Sequence, residues 1–262
     1  MDLLNKYMPQ EYLALKINYC REQLEKLPVI SMQRHNIKGV SKTLLVEGNH
    51  KYRESSKRGK ELLDILNRRT EIEKELAFLE SVWDLKYRGA PNPECKPHKV
   101  KRTFCADAFN RVVMDKDFFD SLENNADSRH PKPNSYPFNG IYYRSAAERD
   151  IAMFYTDAGI PFKYEPAIII NGLTVAINPD FVLYIKELDT CKIHEHLGVK
   201  SSTNYLRTVK FKYENYTDAG LIPETDIIFT HDKDDMTFDI RMLAAKLNTA
   251  IYATVIGTLP TA

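Results

Sequence analysis

The chain has 262 residues, 43% of them hydrophobic and 28% charged, with a formal net charge of +1. This is the composition of an ordinary globular protein rather than a disordered or fibrous one, long enough for one large or two modest domains. No apolar run reaches the roughly 18–20 residues that span a bilayer.

The opening MDLLNKYMPQEY, mildly acidic and broken by Pro9, is unlike a signal peptide, so a cytoplasmic protein with no membrane partner is expected. Cys20, Cys95, Cys105 and Cys191 lack framework spacing and read as reduced thiols. The charge divides into 19 Lys/Arg against 14 Asp/Glu over residues 1–100, and 18 against 22 over 101–262. That split carries little weight, because a solvated acidic surface explains it as well as carboxylates gathered around a cation.

In chain order, Tyr12–Leu27 has apolar residues at helical intervals and stops before Pro28. VISMQRH and KTLLVEG follow as two strand-like runs around Asn36-Ile37-Lys38-Gly39, which suggests a hairpin. From Tyr52 to about Tyr87, Leu62, Leu63, Ile65, Leu66, Ile72, Leu76, Leu79 and Val82 recur among charges, as in one long helix suited to coiled-coil-like pairing. The basic stretch Lys51-Tyr52-Arg53…Lys57-Arg58-Gly59-Lys60 is placed at its start. Phosphate contact and a solvated surface both account for that stretch.

Residues 91–136 read as an irregular, proline-punctuated connector interrupted by a helical patch, FCADAFNRVVMDKDFFDSL. Cys95-x-x-His98 with Cys105, and His130 as a distant fourth, resembles half a zinc site. It lacks the tight paired spacing of structural zinc, and no zinc is expected there. From Gly140 the pattern becomes helix (144–158), strand (162–170), strand (173–185), strand (191–197), helix (203–219), strand (226–230) and helix (236–247), with ATVIG as a closing strand. This is an α/β succession around a mixed sheet.

The hairpin around KELDTC carries two candidate acids. If Ile185 pairs with Lys192, Glu195 lies opposite Val182, and Asp180, two residues from Val182, projects from the same face. Two converging carboxylates suit a hard divalent cation, which takes oxygen ligands and activates water. The alternative is a pair of strand-end acids reaching solvent. Glu148 shares a helix face with Ile151, Ala152 and Tyr155, so its carboxylate needs a partner. Arg144, four residues earlier, is one candidate and a shared metal is the other. His194 and His196 bracket Glu195 but point away from it, and packing or hydrogen bonding accounts for them better than zinc does.

Five stretches occur in order: Tyr143-Arg144-Ser145-Ala146-Ala147-Glu148, Gly159-Ile160-Pro161-Phe162-Lys163-Tyr164-Glu165, Asn178-Pro179-Asp180-Phe181, Glu195-His196-Leu197-Gly198, and Gly220-Leu221-Ile222-Pro223 leading into Ile227-Ile228-Phe229-Thr230. Together with Tyr205, Lys212 and Tyr216 they resemble the restriction-endonuclease-like PD-(D/E)XK proteins of bacteria and their mobile elements, over about residues 136–250. The resemblance implies an α/β restriction-endonuclease-like core (137–262), preceded by a mainly helical region with a hairpin (1–90). It implies Mg²⁺ or Mn²⁺ on Asp180 and Glu195 with the main-chain carbonyl of His196, and Glu148 joining directly or through water. Arg144 and Ser145 would orient Glu148 or touch a phosphate.

One departure stands out. The family motif has lysine two residues after the second acid, and this chain has Leu197. Lys212, at the edge of the stripe Leu206, Val209, Tyr213 and Tyr216, either supplies that ammonium from α-helical sequence further on or merely snorkels. The function expected is a metal-dependent nuclease cutting DNA, for which a homodimer would suit double-strand cleavage. The alternatives are a catalytically inactive nuclease-fold protein that binds nucleic acid or a protein partner, and a helical interaction module carried by residues 1–90.

Overall fold

The computed structural model describes residues 10–37, 40–88, 101–126, 132, 135–198, 203–232 and 238–256. The chain divides into two compact units, Leu13–Lys96 and Pro97–Ala262, the latter taking in Met1–Tyr12. The fold is mixed α/β, and among the described residues no helix is long and apolar enough to cross a membrane.

The N-terminal unit holds helix α1 (Gln10–Lys26), strands β1 (Ile30–Ile37), β2 (Val40–Glu47) and β3 (His50–Arg53), and the 30-residue helix α2 (Lys57–Lys86). The strands form an antiparallel sheet in the order β1-β2-β3. Leu45 and Ile30 bury one face of it against Leu62 of α2. Arg21 of α1 pairs with Glu80 of α2 at 2.7 Å, and Arg69 of α2 donates to the Leu24 and Leu27 carbonyls at 2.9 and 3.0 Å. Those two carbonyls lie at the end of α1, where helical partners run out.

Strand β3 corrects the expectation that Tyr52 opens the long helix. Glu47 pairs with His50, and Gly48 takes φ 56° between them, so the chain turns back as a hairpin. The helix begins only after Ser56, whose side chain accepts from the Gly59 N–H at 3.0 Å as its N-cap. Gly59 is required there, because a Cβ would fall 1.9 Å from the Arg53 carbonyl oxygen.

In the second unit, the expected helical patch of residues 104–122 is mostly a hairpin, β4 (Thr103–Cys105) with β5 (Arg111–Val113), and only α3 (Lys116–Ser121) is helical. The reason is local. Asp107 Oδ1 accepts the Phe109 and Asn110 N–H groups at 2.8 and 2.9 Å, a side-chain-closed turn that competes with helix. Phe104, Met114, Phe119 and Leu122 from this stretch enter the core of the unit.

After the small hairpin β6 (Pro137–Phe138) and β7 (Ile141–Tyr142) come α4 (Ala146–Asp157), β8 (Phe162–Tyr164), β9 (Phe181–Ile185), β10 (Thr190–Leu197), α5 (Thr203–Asp218), β11 (Ile227–His231) and α6 (Ile240–Ile256). The sheet order is β11-β10-β9-β8, antiparallel except for the parallel β10–β11 pair that α5 connects. Its two faces are covered differently. Val182, Cys191, Ile193 and Ile227 pack with Tyr216 and Ala219 on the α5 side. Phe181 and His194 face Tyr155 of α4, and Lys192 reaches Thr254 of α6.

The strands expected at 162–170 and 173–185 are shorter. Between Tyr164 and Phe181 only an isolated bridge, Ile168 with Ile177, keeps strand pairing. Asn171 and Gly172 take positive φ there and turn the chain. Ala253–Ile256, expected as a closing strand, continues α6, whose Leu243, Leu247, Ala250 and Ile251 are fully buried. The β9–β10 turn is tighter than expected. Ile185 pairs with Thr190, not Lys192, and His194 pairs with Phe181. The shift is two residues, so every side chain keeps its face.

Candidate functional site

Asp180 stands just before β9 and Glu195 near the end of β10. With His194 beside Phe181, the register continued by one pair sets Glu195 opposite Asp180. Asp180 Oδ2 accepts the His196 N–H at 2.6 Å, which pins the carboxylate against β10. Asp180, Glu195, Leu197 and Lys212 line one small cavity of about 80 Å³, together with Val209 and Phe229.

Glu195 is buried and fully engaged. Lys212 Nζ lies 2.8 and 3.0 Å from its two oxygens, and the Tyr216 hydroxyl donates to Oε1 at 2.5 Å. Lys212 and Tyr216 are four residues apart on α5, so one helix face delivers both. Lys212 also donates to the Asn178 carbonyl at 2.8 Å, next to the Pro179-Asp180 step. Leu197 carries no ammonium to Glu195, and the one that reaches it comes from Lys212 on α5.

Glu148 is the first-turn acid of α4, capped by Ser145, whose hydroxyl accepts the Glu148 N–H at 3.1 Å. Its carboxylate accepts the Tyr164 hydroxyl at 2.6 Å and the Arg144 N–H at 3.2 Å. Arg144, one of the two candidate partners for Glu148, thus reaches it through the backbone N–H. The Arg144 guanidinium pairs with Glu165, which Lys132 also contacts at 2.5 Å. Glu165 is buried and takes φ 43°, a strained conformation for a non-glycine residue. The left-handed turn aims its carboxylate back at Arg144 and Lys132.

Electrostatics bind the three acids together. Burial, and secondarily Asp180, pushes Glu148 up to about 7. Burial raises Glu195 to about 7 against the opposing pull of Lys212, with Asp180 adding to the rise. Asp180 is raised by burial, while Lys212 and the His196 N–H pull it back. Burial works against the Lys212 ammonium, but Glu195 and Asp180 outweigh it and hold its pKa above the ordinary value. One cation therefore faces two buried acids, with a third coupled through Asp180.

His194 and His196 lie on the opposite face. His194 is buried between the Tyr155 hydroxyl and Thr230, each at 2.7 Å. His196 contacts Thr230 at 2.9 Å and Asp232 at 3.2 Å. Burial lowers both imidazoles, far more at His194, while Asp232 and Asp180 pull His196 back up. Hydrogen bonding explains both rings, and His196 meets Asp180 through its backbone N–H while its ring interacts with that carboxylate electrostatically. Cys95, His98 and His130, the other members of the half zinc pattern, lie outside the described residues, and Cys105 is a free thiol.

Sequence reasoning assigned no role to Tyr164, Glu165 or Tyr216. The available signal was spacing, since Tyr216 follows Lys212 by one helical turn. Comparison with family models, with curated proteins and with solved structures found no match. The resemblance rests on the residues themselves.

Among the described residues no group of three or more His, Cys, Asp or Glu side chains forms a ready-made metal cluster. A smaller donor set is present. Two carboxylates on adjacent strands border a cavity, and Mg²⁺ commonly takes one or two carboxylates with water completing its shell. Hard oxygen donors of raised pKa fit such an ion.

Proposed function

We propose that the second unit is a divalent-metal-dependent nuclease with a restriction-endonuclease-like core, hydrolysing phosphodiester bonds, with DNA as the substrate. The observation that carries this reading is the convergence of Asp180 and Glu195 on one cavity with Lys212 Nζ at 2.8 Å from Glu195. The same cavity is bordered by Leu197, where the PD-(D/E)XK motif would carry its lysine.

Asp180 and Glu195 would hold Mg²⁺ or Mn²⁺ with the His196 carbonyl, and Glu148 would join through water. The ion would lower the pKa of water and neutralise charge on the phosphate. Lys212, freed in part from Glu195, would donate a hydrogen bond to the attacking water and stabilise the charge it develops. Water would add to phosphorus as the P–O bond to the leaving oxygen breaks, with one water proton passing to solvent and the departing oxygen taking a proton from solvent. Tyr216 and the Asn178 carbonyl keep Glu195 and Lys212 in register. Ser145 and the Arg144 N–H do the same for Glu148, and the Arg144–Glu165 pair braces the turn beside it.

One observation favours a second reading, that of a nuclease-fold protein without catalysis which binds nucleic acid or a protein partner. The Lys212 ammonium already compensates Glu195, so that acid has a cation without a metal. Fold by itself does not secure activity. Incubating plasmid and single-stranded DNA with Mg²⁺, Mn²⁺ or EDTA separates the two. Metal-dependent cutting supports the nuclease, while intact DNA together with no Mn²⁺ binding by calorimetry supports the binder.

A further inference from the structure

Far along the sequence from the carboxylates, the N-terminal unit holds a cavity of about 540 Å³. Lys42 and Thr43 of β2, Arg53, Glu54 and Ser55 at the end of β3, and Lys60 of α2 line it. Three cations against one carboxylate leave the lining positive. Lys42, Arg53 and Lys60 are all exposed. Among the described residues none of their side chains forms an ion pair, whereas neighbouring Arg58 is occupied by Glu47 at 2.8 Å and Glu61 at 3.2 Å.

The backbone under these cations is tightly built. The Arg53 carbonyl accepts both the N–H and the hydroxyl of Ser56, at 3.0 and 2.7 Å. Gly59 lets α2 approach that carbonyl more closely than any side chain would permit. The backbone positions of Arg53 and Lys60 are therefore fixed on one short corner. The first turn of α2 contains no acid, although acids are favoured at the positive end of a helix dipole. Lys57, Arg58 and Lys60 instead add to that positive end, an arrangement an external anion would relieve.

We propose that this cavity, in a unit other than the one holding the carboxylates, grips the sugar-phosphate backbone of a nucleic acid. The proposal rests on the nuclease reading for the identity of the polyanion. The chemistry favours a chain of phosphates over a single one. The Gly59 N–H is already capped by Ser56, so the helix start does not offer the cluster of backbone donors that cradles one phosphate. Cations from three elements, with the Thr43 and Ser55 hydroxyls beside them, match the mixed charged and hydroxyl donors that hold nucleic-acid backbones.

The test is binding of a short fluorescent duplex to the full chain carrying Asp180→Ala, followed by anisotropy across a salt series in EDTA. Combined replacement Lys42→Ala, Arg53→Ala and Lys60→Ala is expected to weaken binding about tenfold or more. It should also flatten the dependence of log K on log salt by roughly 2–3, near 0.9 for each phosphate no longer neutralised. Arg68→Ala with Lys74→Ala, exposed cations further along α2, should leave both nearly unchanged. Lys42→Arg with Lys60→Arg should retain binding, which guards against a folding artefact.

Undiminished binding by the triple variant, an equal weakening in the Arg68/Lys74 control, or no duplex binding by the parent chain would each overturn the proposal. Displacement by polyglutamate as effective as by unlabelled duplex at equal charge would assign the cavity to an acidic protein segment and overturn it too. Failure of the nuclease reading is seen separately, as intact DNA with metal and the natural Asp180, while duplex binding still depends on the three cations.

Discussion

Lys212 lays its ammonium across both carboxylate oxygens of Glu195, at 2.8 and 3.0 Å, from the α5 side of the sheet. The pair joins a helix and a strand that the chain places 17 residues apart. A lysine at the edge of a helical stripe is most often a surface group with a buried stem. Here the charged end itself is turned inward, against a buried acid.

Lys212→Met is therefore expected to lower the rate of DNA cleavage by about 10² or more, in line with removal of a preorganised charged donor. Mn²⁺ affinity should hold or rise, because an ammonium that competes for Glu195 has been removed. Single-turnover cleavage and calorimetry on the same variant check the two halves. A merely structural lysine would instead lower the melting temperature and metal affinity together.

Metal binding should release protons. Glu148 and Glu195 stand at about 7 in the metal-free protein, so both hold protons over much of the range between the ordinary 4.5 and 7. Cation binding requires the ionised form. Calorimetry of Mn²⁺ binding in buffers of different ionisation enthalpy should show more proton release at pH 6 than at pH 8. The stability sign follows from the same shifts. The native state binds more protons than the unfolded one in that window, so these acids make metal-free stability fall as pH rises from 4.5 to 7.

Lys192 behaves in the opposite sense. It is fully buried, 2.6 Å from the Thr254 hydroxyl and 4.0 Å from Asp226, whose main partner is Arg102. Burial lowers it to about 8 from an ordinary 10.5. The unfolded chain then binds more protons between pH 8 and 10.5, so this residue makes stability rise with pH across that window, by at most roughly 3 kcal/mol. Lys192→Met should remove that alkaline gain without destabilising the protein at pH 7, as urea melts at pH 7 and 10 would show. A fall of several kcal/mol at pH 7 would mean that the ammonium is needed by Asp226.

The acid pair was legible in the sequence because strand alternation depends on parity alone. The expected register was displaced by two residues, yet Asp180 and Glu195 kept a common face. Glu148 was legible from its buried helical neighbours, whereas the place of Lys212 beside a stripe suits a snorkelling lysine equally and only the resemblance singled it out. What remained hidden depended on turns and on distant partners. Gly48 closes a third strand, and Asp107 closes a hairpin within a run rich in apolar residues that reads as helix. The Arg144–Glu165 pair needs a left-handed backbone at Glu165, and nothing in a glutamate's spacing announces one. The cavity around Lys42, Arg53 and Lys60 needs β3, without which the basic stretch reads as the start of the long helix.

The most direct test of the central claim is DNA cleavage by the full chain with Mg²⁺, Mn²⁺ or EDTA, wild type beside Asp180→Ala and Glu195→Ala. Cutting by the wild type is expected only when metal is present, and none above background by either variant, with both variants still folded. Wild-type DNA left intact under every metal, or cutting that survives both substitutions, would contradict it.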